Sequence, residues 1–293
     1  MIKKAVIPAA GYGTRFLPAT KSQPKEMIPI VDTPVIQYVV EEAVESGITD
    51  ILMIIGKGKR AIEEHFDRNA ILEESLIEKG NLEMLEKIRK ISRMANIHFI
   101  WQKEMHGLGD AIKYARYHVN NEPFAILLGD TLVDGGNVPV TKQLIDVYEN
   151  YKSPVVALEE VKPDLVSRYG IIDGVAVADN IFRANNWIEK PSIEEAPSNL
   201  AVASRYIFTP EIFGYLDKIG TGKNDEIQLT DAMKEMVKAH PMYGLKFSGK
   251  RYDIGNKLGF LKTNIIYALK DPGISNEVKG WLKEFASEVE KTS

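Results

Sequence analysis

A glycine-containing loop near the start of the chain has the composition of a phosphate-binding site. The loop Pro8–Arg15 (PAAGYGTR) follows the apolar run Ala5–Ile7, which is typical of a buried strand. Its small residues and two glycines let backbone N–H groups approach an anion closely, and Arg15 adds a planar fork that suits phosphate oxygens. The loop lacks the third glycine of a dinucleotide-binding fingerprint and the Gly-Lys-Ser/Thr of a Walker A loop. A plain turn has similar glycines, so the loop alone does not identify a site.

Two further charged residues stand at positions where ligands commonly bind. Lys25 lies ten residues after Arg15, between two prolines. Asp130 follows the apolar run Phe124–Leu128, and parallel sheets bind their ligands at the carboxyl ends of the strands. An ordinary salt bridge is the alternative for the lysine, and a turn-capping role is the alternative for the aspartate.

The first half of the chain alternates short apolar runs with amphipathic stretches, which predicts a parallel sheet with helices on both faces. The predicted strands are Ala5–Ile7, Ile51–Ile55, Ile97–Trp101 and Phe124–Leu128, and the predicted helices are Pro34–Ser46 and Ala111–Val119. The charged stretch Asn69–Ala95, broken near Gly80, predicts a surface helical hairpin, and an oligomer contact is the alternative.

Strands dominate the second half, with turn signals between them. The predicted strands are Val155–Leu158, Ile171–Ile172, Ala201–Phe208 and Gly244–Phe247, with helices at Pro210–Ile219, Gln228–Ala239, Asn256–Leu269 and Glu277–Glu290. The overall expectation is an α/β fold with a Rossmann-like mixed, mainly parallel twisted sheet flanked by helices, an α+β second half and C-terminal helices. The expected domains are 1–135, 136–255 and a helical segment 256–293, which together form one catalytic unit.

Composition excludes several classes of function. The 37 lysines and arginines against 41 aspartates and glutamates give a net charge of −4, so no global charge recruits nucleic acid or an anionic membrane. The absence of cysteine excludes disulfides, thiol catalysis and zinc–thiolate sites. The five histidines show no metal-ligand spacing, and no apolar run reaches the roughly 18 residues of a membrane helix. A cytoplasmic protein is expected.

A series of short motifs runs in order through most of the chain. These are Ala9-Ala10-Gly11-x-Gly13-Thr14-Arg15, Leu17-Pro18-Ala19-Thr20-Lys21, Pro24-Lys25-Glu26-Met27, Gln102, Gly107-Leu108-Gly109, Leu128-Gly129-Asp130, Arg168-Tyr169-Gly170, Glu189-Lys190-Pro191, Glu226-Ile227-Gln228-Leu229-Thr230-Asp231 and Arg251-Tyr252-Asp253-x-Gly255. The series resembles that of the sugar-1-phosphate nucleotidylyltransferases.

The resemblance implies a reaction in which UTP and glucose-1-phosphate give UDP-glucose and pyrophosphate. The sugar phosphate attacks the α-phosphorus in line, and because its second pKa is about 6 it is largely ionised and needs no general base. Bringing two anions together requires cations and a metal, for which Mg²⁺ is expected. The alternatives are a related enzyme that uses dTTP or another sugar-1-phosphate, and a non-catalytic paralogue that binds nucleotide-sugars. A homodimer or homotetramer is also expected.

The resemblance also assigns the nucleotide side of the site. Arg15 would neutralise the departing phosphates, and Lys25 would bridge toward the reacting phosphates. The residues expected to bind the nucleotide are Ala9, Ala10, Gly11, Gly13, Thr14, Gln102 and Gly107. In this set the Gln102 amide would pair with the edge of the pyrimidine, and Gly107 would let the backbone come close to the base.

On the sugar side, the resemblance assigns Lys190 to the sugar phosphate, and Gly170 and Glu189 to the sugar hydroxyls. Asp130 is expected to bind the metal. Asp253 matches a second metal ligand of some relatives, and a position behind the metal ligands is its alternative role. Magnesium prefers one or two carboxylates together with substrate phosphates, which this pair would supply.

Two positions depart from the family pattern. Asp110 stands where the family usually has histidine, and Ser204 where it often has glycine. A helix beginning at Leu108 would place Asp110 in its first turn, where the helix dipole favours a carboxylate by about 0.3–1 kcal/mol. Alternatively, Asp110 lies near the triphosphate and weakens UTP binding. The serine could narrow or reshape the sugar pocket.

Overall fold

The computed structural model describes residues 1–222, 225–252 and 254–292. The strands are β1 (Lys4–Ala9), β2 (Pro29–Ile30), β3 (Thr33–Pro34), β4 (Asp50–Ile55), β5 (Asn96–Trp101), β6 (Phe124–Leu127), β7 (Leu132–Asp134), β8 (Val155–Glu160), β9 (Gly170–Ala178), β10 (Ile181–Glu189), β11 (Leu200–Phe208), β12 (Tyr243–Lys246) and β13 (Lys250–Tyr252). The α-helices are α1 (Val35–Glu45), α2 (Arg60–Phe66), α3 (Ala70–Glu78), α4 (Leu82–Arg93), α5 (Leu108–Lys113), α6 (Arg116–Val119), α7 (Val140–Tyr151), α8 (Ile212–Leu216), α9 (Leu229–Met236), α10 (Lys257–Ala268) and α11 (Ser275–Thr292).

A nine-stranded sheet, counted over the described residues, forms the centre of the fold in the order β5-β4-β1-β6-β11-β8-β12-β10-β9. The first four strands are parallel to one another. Strand β11 then pairs antiparallel with β6, which joins the two halves of the chain in one sheet. A pairing of β9 with β11 closes the last five strands into a ring. The predicted mixed sheet flanked by helices is confirmed, with its parallel part mainly in the first half.

The central strands are buried on both faces, which is why they read as continuous apolar runs. In β1, Ala5 and Ile7 pack into a core with α1 and α7, whereas Val6 points into a second core with α5, α8 and α9. Strand β4 alternates in the same way. Helices therefore cover both faces, as predicted. Within the described parts of the chain, none of the helices has the length and apolar character that crossing a bilayer requires.

Some elements differ from the sequence predictions. The helix predicted at Ala111–Val119 is two short helices, α5 and α6, of which α5 begins at Leu108. The strand β10 was not predicted, because polar residues at Arg183, Asn185 and Asn186 interrupt its apolar pattern. The hairpin predicted between 69 and 95 is confirmed as α3 and α4. Its helices are joined by an ion pair of 3.0 Å between Arg89 and Glu73.

A buried ionic network ties β11 to two helices and to the residue after Asp130. The Arg205 guanidinium, 1% exposed, donates to Glu42 Oε2 at 2.7 and 2.9 Å and to the Thr131 carbonyl at 3.0 Å. The other oxygen of Glu42 accepts from the backbone N–H and the hydroxyl of Thr141 at 3.0 and 2.7 Å. The network therefore fixes the backbone beside the predicted metal ligand.

The substitution Arg205→Met is expected to lower the free energy of unfolding by about 3–5 kcal/mol, because it leaves the buried Glu42 carboxylate without a counter-charge. Denaturation by urea, followed by circular dichroism, measures this. Lys246→Met is the matched control, because it breaks an exposed pair with Glu160 and should cost about 0–1 kcal/mol. A similar loss of unfolding free energy in both variants would contradict the expectation that the buried ion pair stabilises the fold more than the exposed one.

Candidate active site

A cavity of about 280 Å³ lies where β1, β5 and β6 end at their carboxyl termini. Seven of the predicted site residues line it, together with Pro8, Glu26, Met105, Leu108, Ala111, Leu128 and Glu226. The seven are Ala9, Ala10, Gly11, Lys25, Gln102, Gly107 and Asp130. Residues that are up to about 120 positions apart in the sequence thus meet at one edge of the parallel strands, as expected for this type of sheet.

The Lys25 side chain lies across the glycine loop, and this contact explains both glycines. A Cβ at Gly11 would lie 3.2 Å from Lys25 Nζ, and one at Gly13 would lie 2.9 Å from Lys25 Cβ. Gly13 also has a φ of +69°, a left-handed conformation that glycine adopts without a steric cost. The loop therefore brings a cation directly over the backbone that was predicted to hold phosphates.

Lys25 and Asp130 form an ion pair with 2.6 Å between Nζ and Oδ2. Burial alone would raise the pKa of the Asp130 carboxyl, but the Lys25 ammonium outweighs burial and the pKa is lowered. Burial would likewise lower the pKa of Lys25, but the Asp130 and Glu26 carboxylates raise it. Both groups are therefore charged at neutral pH, so the cavity contains a fixed positive charge beside a fixed negative charge.

A second ion pair supports the glycine loop, and the sequence analysis did not predict it. Lys59 Nζ lies 2.7 Å from Glu26 Oε2 and donates to the Gly11 carbonyl at 2.7 Å. Glu26 is fully buried and Lys59 is 5% exposed. Burial raises the pKa of Glu26 and lowers that of Lys59, and each charge partly offsets the effect on the other. One sequence signal was available, because Lys59 follows β4 just as Asp130 follows β6.

Thr14 and Arg15 are exposed and lie outside the cavity lining. They begin a short 3-10 helix, Thr14–Phe16, for which Gly13 is the N-cap. Arg15 Nη1 lies 3.5 Å from the Gly255 carbonyl, a long contact that connects the loop to the segment after β13. The predicted metal ligand Asp253 lies outside the described residues.

Gln102 is held in place by both its backbone and its side chain. Its N–H donates to the Ile55 carbonyl at 2.8 Å, and its Nε2 donates to Asp110 Oδ2 at 2.9 Å. Gly107 has a φ of +94°, and a Cβ there would lie 2.7 Å from Glu226 Cβ. The glycine therefore also makes room for a segment of the second half, in addition to the role predicted for it.

The three residues predicted on the sugar side, Lys190 for the phosphate and Gly170 and Glu189 for the hydroxyls, form a separate cluster. Gly170 and Glu189 are opposite each other on β9 and β10. The Lys190 backbone, with a φ of +47°, turns out of the strand, and its Nζ lies 3.1 Å from Glu189 Oε1. A Cβ at Gly170 would lie 3.0 Å from Thr230 Oγ1 and 3.3 Å from Glu189 Oε2. None of the three lines the 280 Å³ cavity.

The segment Glu226–Asp231 connects the cluster to the cavity. At one end Glu226 lines the cavity, and the Ile227 carbonyl accepts from the N–H of Gly109 at 2.8 Å. Near the other end, Thr230 packs against Gly170. Glu226 and Thr230 of this motif thus lie at the cavity and at the cluster, although the sequence analysis gave them no role.

Asp130 suits a magnesium ion that is shared with a substrate. In the described part of the chain, no group of three or more histidine, aspartate and glutamate side chains could hold a metal by itself. Magnesium is commonly bound by one or two carboxylates together with substrate phosphates. A single carboxylate at the edge of a phosphate loop fits that pattern, and a metal there would compete with Lys25 for the Asp130 oxygens.

The family model described as "Nucleotidyl transferase" matches residues 4–268. A curated protein of Staphylococcus epidermidis named UTP–glucose-1-phosphate uridylyltransferase is 51% identical over 283 residues, which cover 97% of this chain and 98% of that protein. A protein of the same name from Staphylococcus haemolyticus is 52% identical over the same length. The family resemblance found in the sequence motifs is confirmed.

Solved structures agree with these matches. A UDP-glucose pyrophosphorylase complexed with UDP-glucose has a TM-score of 0.85 and 43% identity, covering 92% of this chain and 100% of that one. A UTP-bound protein from Acinetobacter baumannii has a TM-score of 0.90 and 38% identity, covering 97% and 99%. These likenesses extend over nearly the whole chain.

Proposed function

Because this chain belongs to the nucleotidyl transferase family, we propose that it joins UTP and glucose-1-phosphate to make UDP-glucose and pyrophosphate. One observation carries the proposal: Lys25, Asp130 and Gln102 line a single cavity at the carboxyl ends of the parallel strands. Together they supply a cation for phosphates, a carboxylate for a metal, and an amide for a base. The relatives that share this fold at 51% identity have the name of that activity.

In the proposed reaction, an oxygen of the sugar phosphate attacks the α-phosphorus of UTP and pyrophosphate leaves from the opposite side. The protein contributes position and charge, because an ionised phosphate needs no base to activate it. Lys25 lies over the glycine loop and neutralises the reacting phosphates. Lys190 holds the phosphate of the sugar, and Glu189 accepts hydrogen bonds from the sugar hydroxyls at the edge of β10.

We propose Mg²⁺ as the cofactor, held by Asp130 and the substrate phosphates. When bound, it would neutralise charge on the phosphates and polarise them. Lys25 pairs with Asp130 at 2.6 Å and would share that carboxylate with the ion, which would leave part of the Lys25 charge for the nucleotide. Arg15, which is exposed next to the glycine loop, would neutralise the departing pyrophosphate.

We propose that the chain acts in the cytoplasm as a homodimer or homotetramer. Support for self-association comes from α11, where Trp281, Phe285 and Val289 are exposed at four-residue spacing. The rings of Trp281 and Phe285 stack at 5.5 Å. Sedimentation of the purified chain measures the oligomeric state.

The proposed activity is tested by measuring pyrophosphate release with each nucleoside triphosphate against a panel of sugar-1-phosphates. UTP with glucose-1-phosphate is expected to be the best pair, and EDTA is expected to abolish turnover until Mg²⁺ is restored. A higher kcat/KM with dTTP or with another sugar would favour the alternative transferase. Binding of UDP-glucose without turnover of any pair would favour the non-catalytic paralogue.

A further inference from the structure

The Asp110 carboxylate contacts the base-recognition residue, a role that neither interpretation from sequence predicts. Asp110 lies in the first turn of α5, where a carboxylate suits the helix dipole. Its Oδ2 nevertheless accepts a hydrogen bond of 2.9 Å from Gln102 Nε2. This contact concerns the amide that faces the cavity rather than the triphosphate.

A glutamine amide has a donor end and an acceptor end, and it can bind a ligand with either. An ionised carboxylate only accepts hydrogen bonds, so Asp110 can bind only the NH₂ end of Gln102. The Gln102 side chain is also confined, because the residue is 6% exposed and its backbone is anchored to Ile55 at 2.8 Å. Asp110 therefore fixes which end of the amide is available to a ligand.

The available end is the carbonyl oxygen. Among the described residues, no protein group donates a hydrogen bond to Gln102 Oε1, and Gln102 lines the cavity with Gly107 and Leu108. Uracil has an N–H donor at ring position N3, whereas cytosine has an acceptor at the same position. Uracil can thus pair with the fixed oxygen. Cytosine in the same pose would place its N3 acceptor against this oxygen in a buried site, which is unfavourable.

We infer that Asp110 is a positioning residue that makes this chain select uracil over cytosine, by holding the Gln102 amide with its oxygen toward the base. The inference rests on the proposed function, since it concerns the nucleotide of the same site. Thymine keeps the N3 donor, so the fixed Gln102 amide does not discriminate between UTP and dTTP. The fixed amide does discriminate between CTP and these two nucleotides.

The test uses Asp110→Asn, which keeps the shape of the side chain but adds a donor. The new amide can bind either end of Gln102, so the orientation is no longer fixed. The ratio of kcat/KM for UTP to that for CTP, measured with glucose-1-phosphate, should fall by about tenfold or more, where tenfold corresponds to 1.4 kcal/mol. The ratio for dTTP to CTP should fall in parallel. Calorimetric binding of UTP and CTP without the sugar phosphate should show the same change.

Glu104→Gln is the matched control, because it makes the same change in the same segment. Glu104 is exposed and pairs with His106 at 2.9 Å, so its loss should leave the UTP to CTP ratio unchanged. Asp110→Ala serves as a second variant in case the asparagine variant does not fold. Ratios within about twofold of wild type in a folded Asp110 variant would overturn the inference.

Failure of the proposed function gives a different result. A wild-type chain that releases no pyrophosphate with any substrate pair contradicts the transferase activity, whatever Asp110 does. The inference is then decided by the binding measurement alone, because UTP and CTP affinities require no turnover. Equal wild-type affinities for the two nucleotides would overturn it.

Discussion

The substitution Asp130→Asn is expected to lower kcat with UTP and glucose-1-phosphate by about a thousandfold, which is on the order of 4 kcal/mol of transition-state stabilisation. The asparagine keeps the shape of the side chain and can still accept a hydrogen bond from Lys25, so the fold should change little. It loses the negative charge that we propose to bind Mg²⁺. The lowered pKa of Asp130 means that this charge is present across the neutral pH range.

Pyrophosphate release at saturating Mg²⁺ measures the effect, and thermal unfolding checks the fold. Asp134→Asn is the matched control, because Asp134 also pairs with a lysine, Lys270, but lies outside the cavity. The control should keep kcat near the wild-type value. Turnover of Asp130→Asn within tenfold of wild type would rule out the metal assignment.

The parallel part of the fold could be predicted because each of its strands is recognisable from a short stretch of sequence. Strands such as β1 and β4 are buried on both faces, so every residue after the first in each strand is apolar, and the run is visible in a short window. Strand β10 lies in the second half with one polar face, so its pattern is broken at Arg183, Asn185 and Asn186. The closure of β9 onto β11 depends on which strands meet, and local sequence does not encode that choice.

The meeting of the glycine loop and Asp130 in one cavity could be predicted for a similar reason. The glycine loop and Asp130 each follow an apolar run, and the topology of a parallel sheet brings such strand ends together. Pairs whose members are far apart in sequence could not be predicted. Lys59 is 33 residues from Glu26, and nothing near either residue indicates that the two meet under the loop.

The departure from the family pattern at Ser204 can be explained from the structure but not from the sequence. Ser204 has a φ of +65° within an irregular part of β11. Its carbonyl accepts from Leu128 N–H at 3.2 Å, two residues before Asp130. Glycine adopts this conformation more easily than serine, which accounts for the glycine of the family pattern. The contact is with the segment that leads to Asp130, and the predicted effect on the sugar pocket stays a prediction.

Lys190→Ala and Lys25→Ala are expected to affect different kinetic constants. Lys190 pairs with Glu189 beside Gly170, on the sugar side, so its loss should raise KM for glucose-1-phosphate by about tenfold to a hundredfold and leave KM for UTP nearly unchanged. Lys25 lies in the cavity over the glycine loop, where the reacting phosphates are proposed to bind. Its loss should lower kcat by about 10²- to 10³-fold. Initial rates with each substrate varied in turn separate the two effects.

Lys246→Ala is the control for both variants. Lys246 lies on β12, the strand next to β10, and is exposed in a surface pair with Glu160. Its kinetic constants should equal those of wild type. The two lysines are expected to act on different substrates because their side chains lie in different places. Lys190 leaves β10 in a left-handed conformation that turns its ammonium to Glu189. Lys25 is held by Asp130 at the end of β6. Equal effects of both substitutions on both substrates would mean that the two ammonium groups act on one shared phosphate.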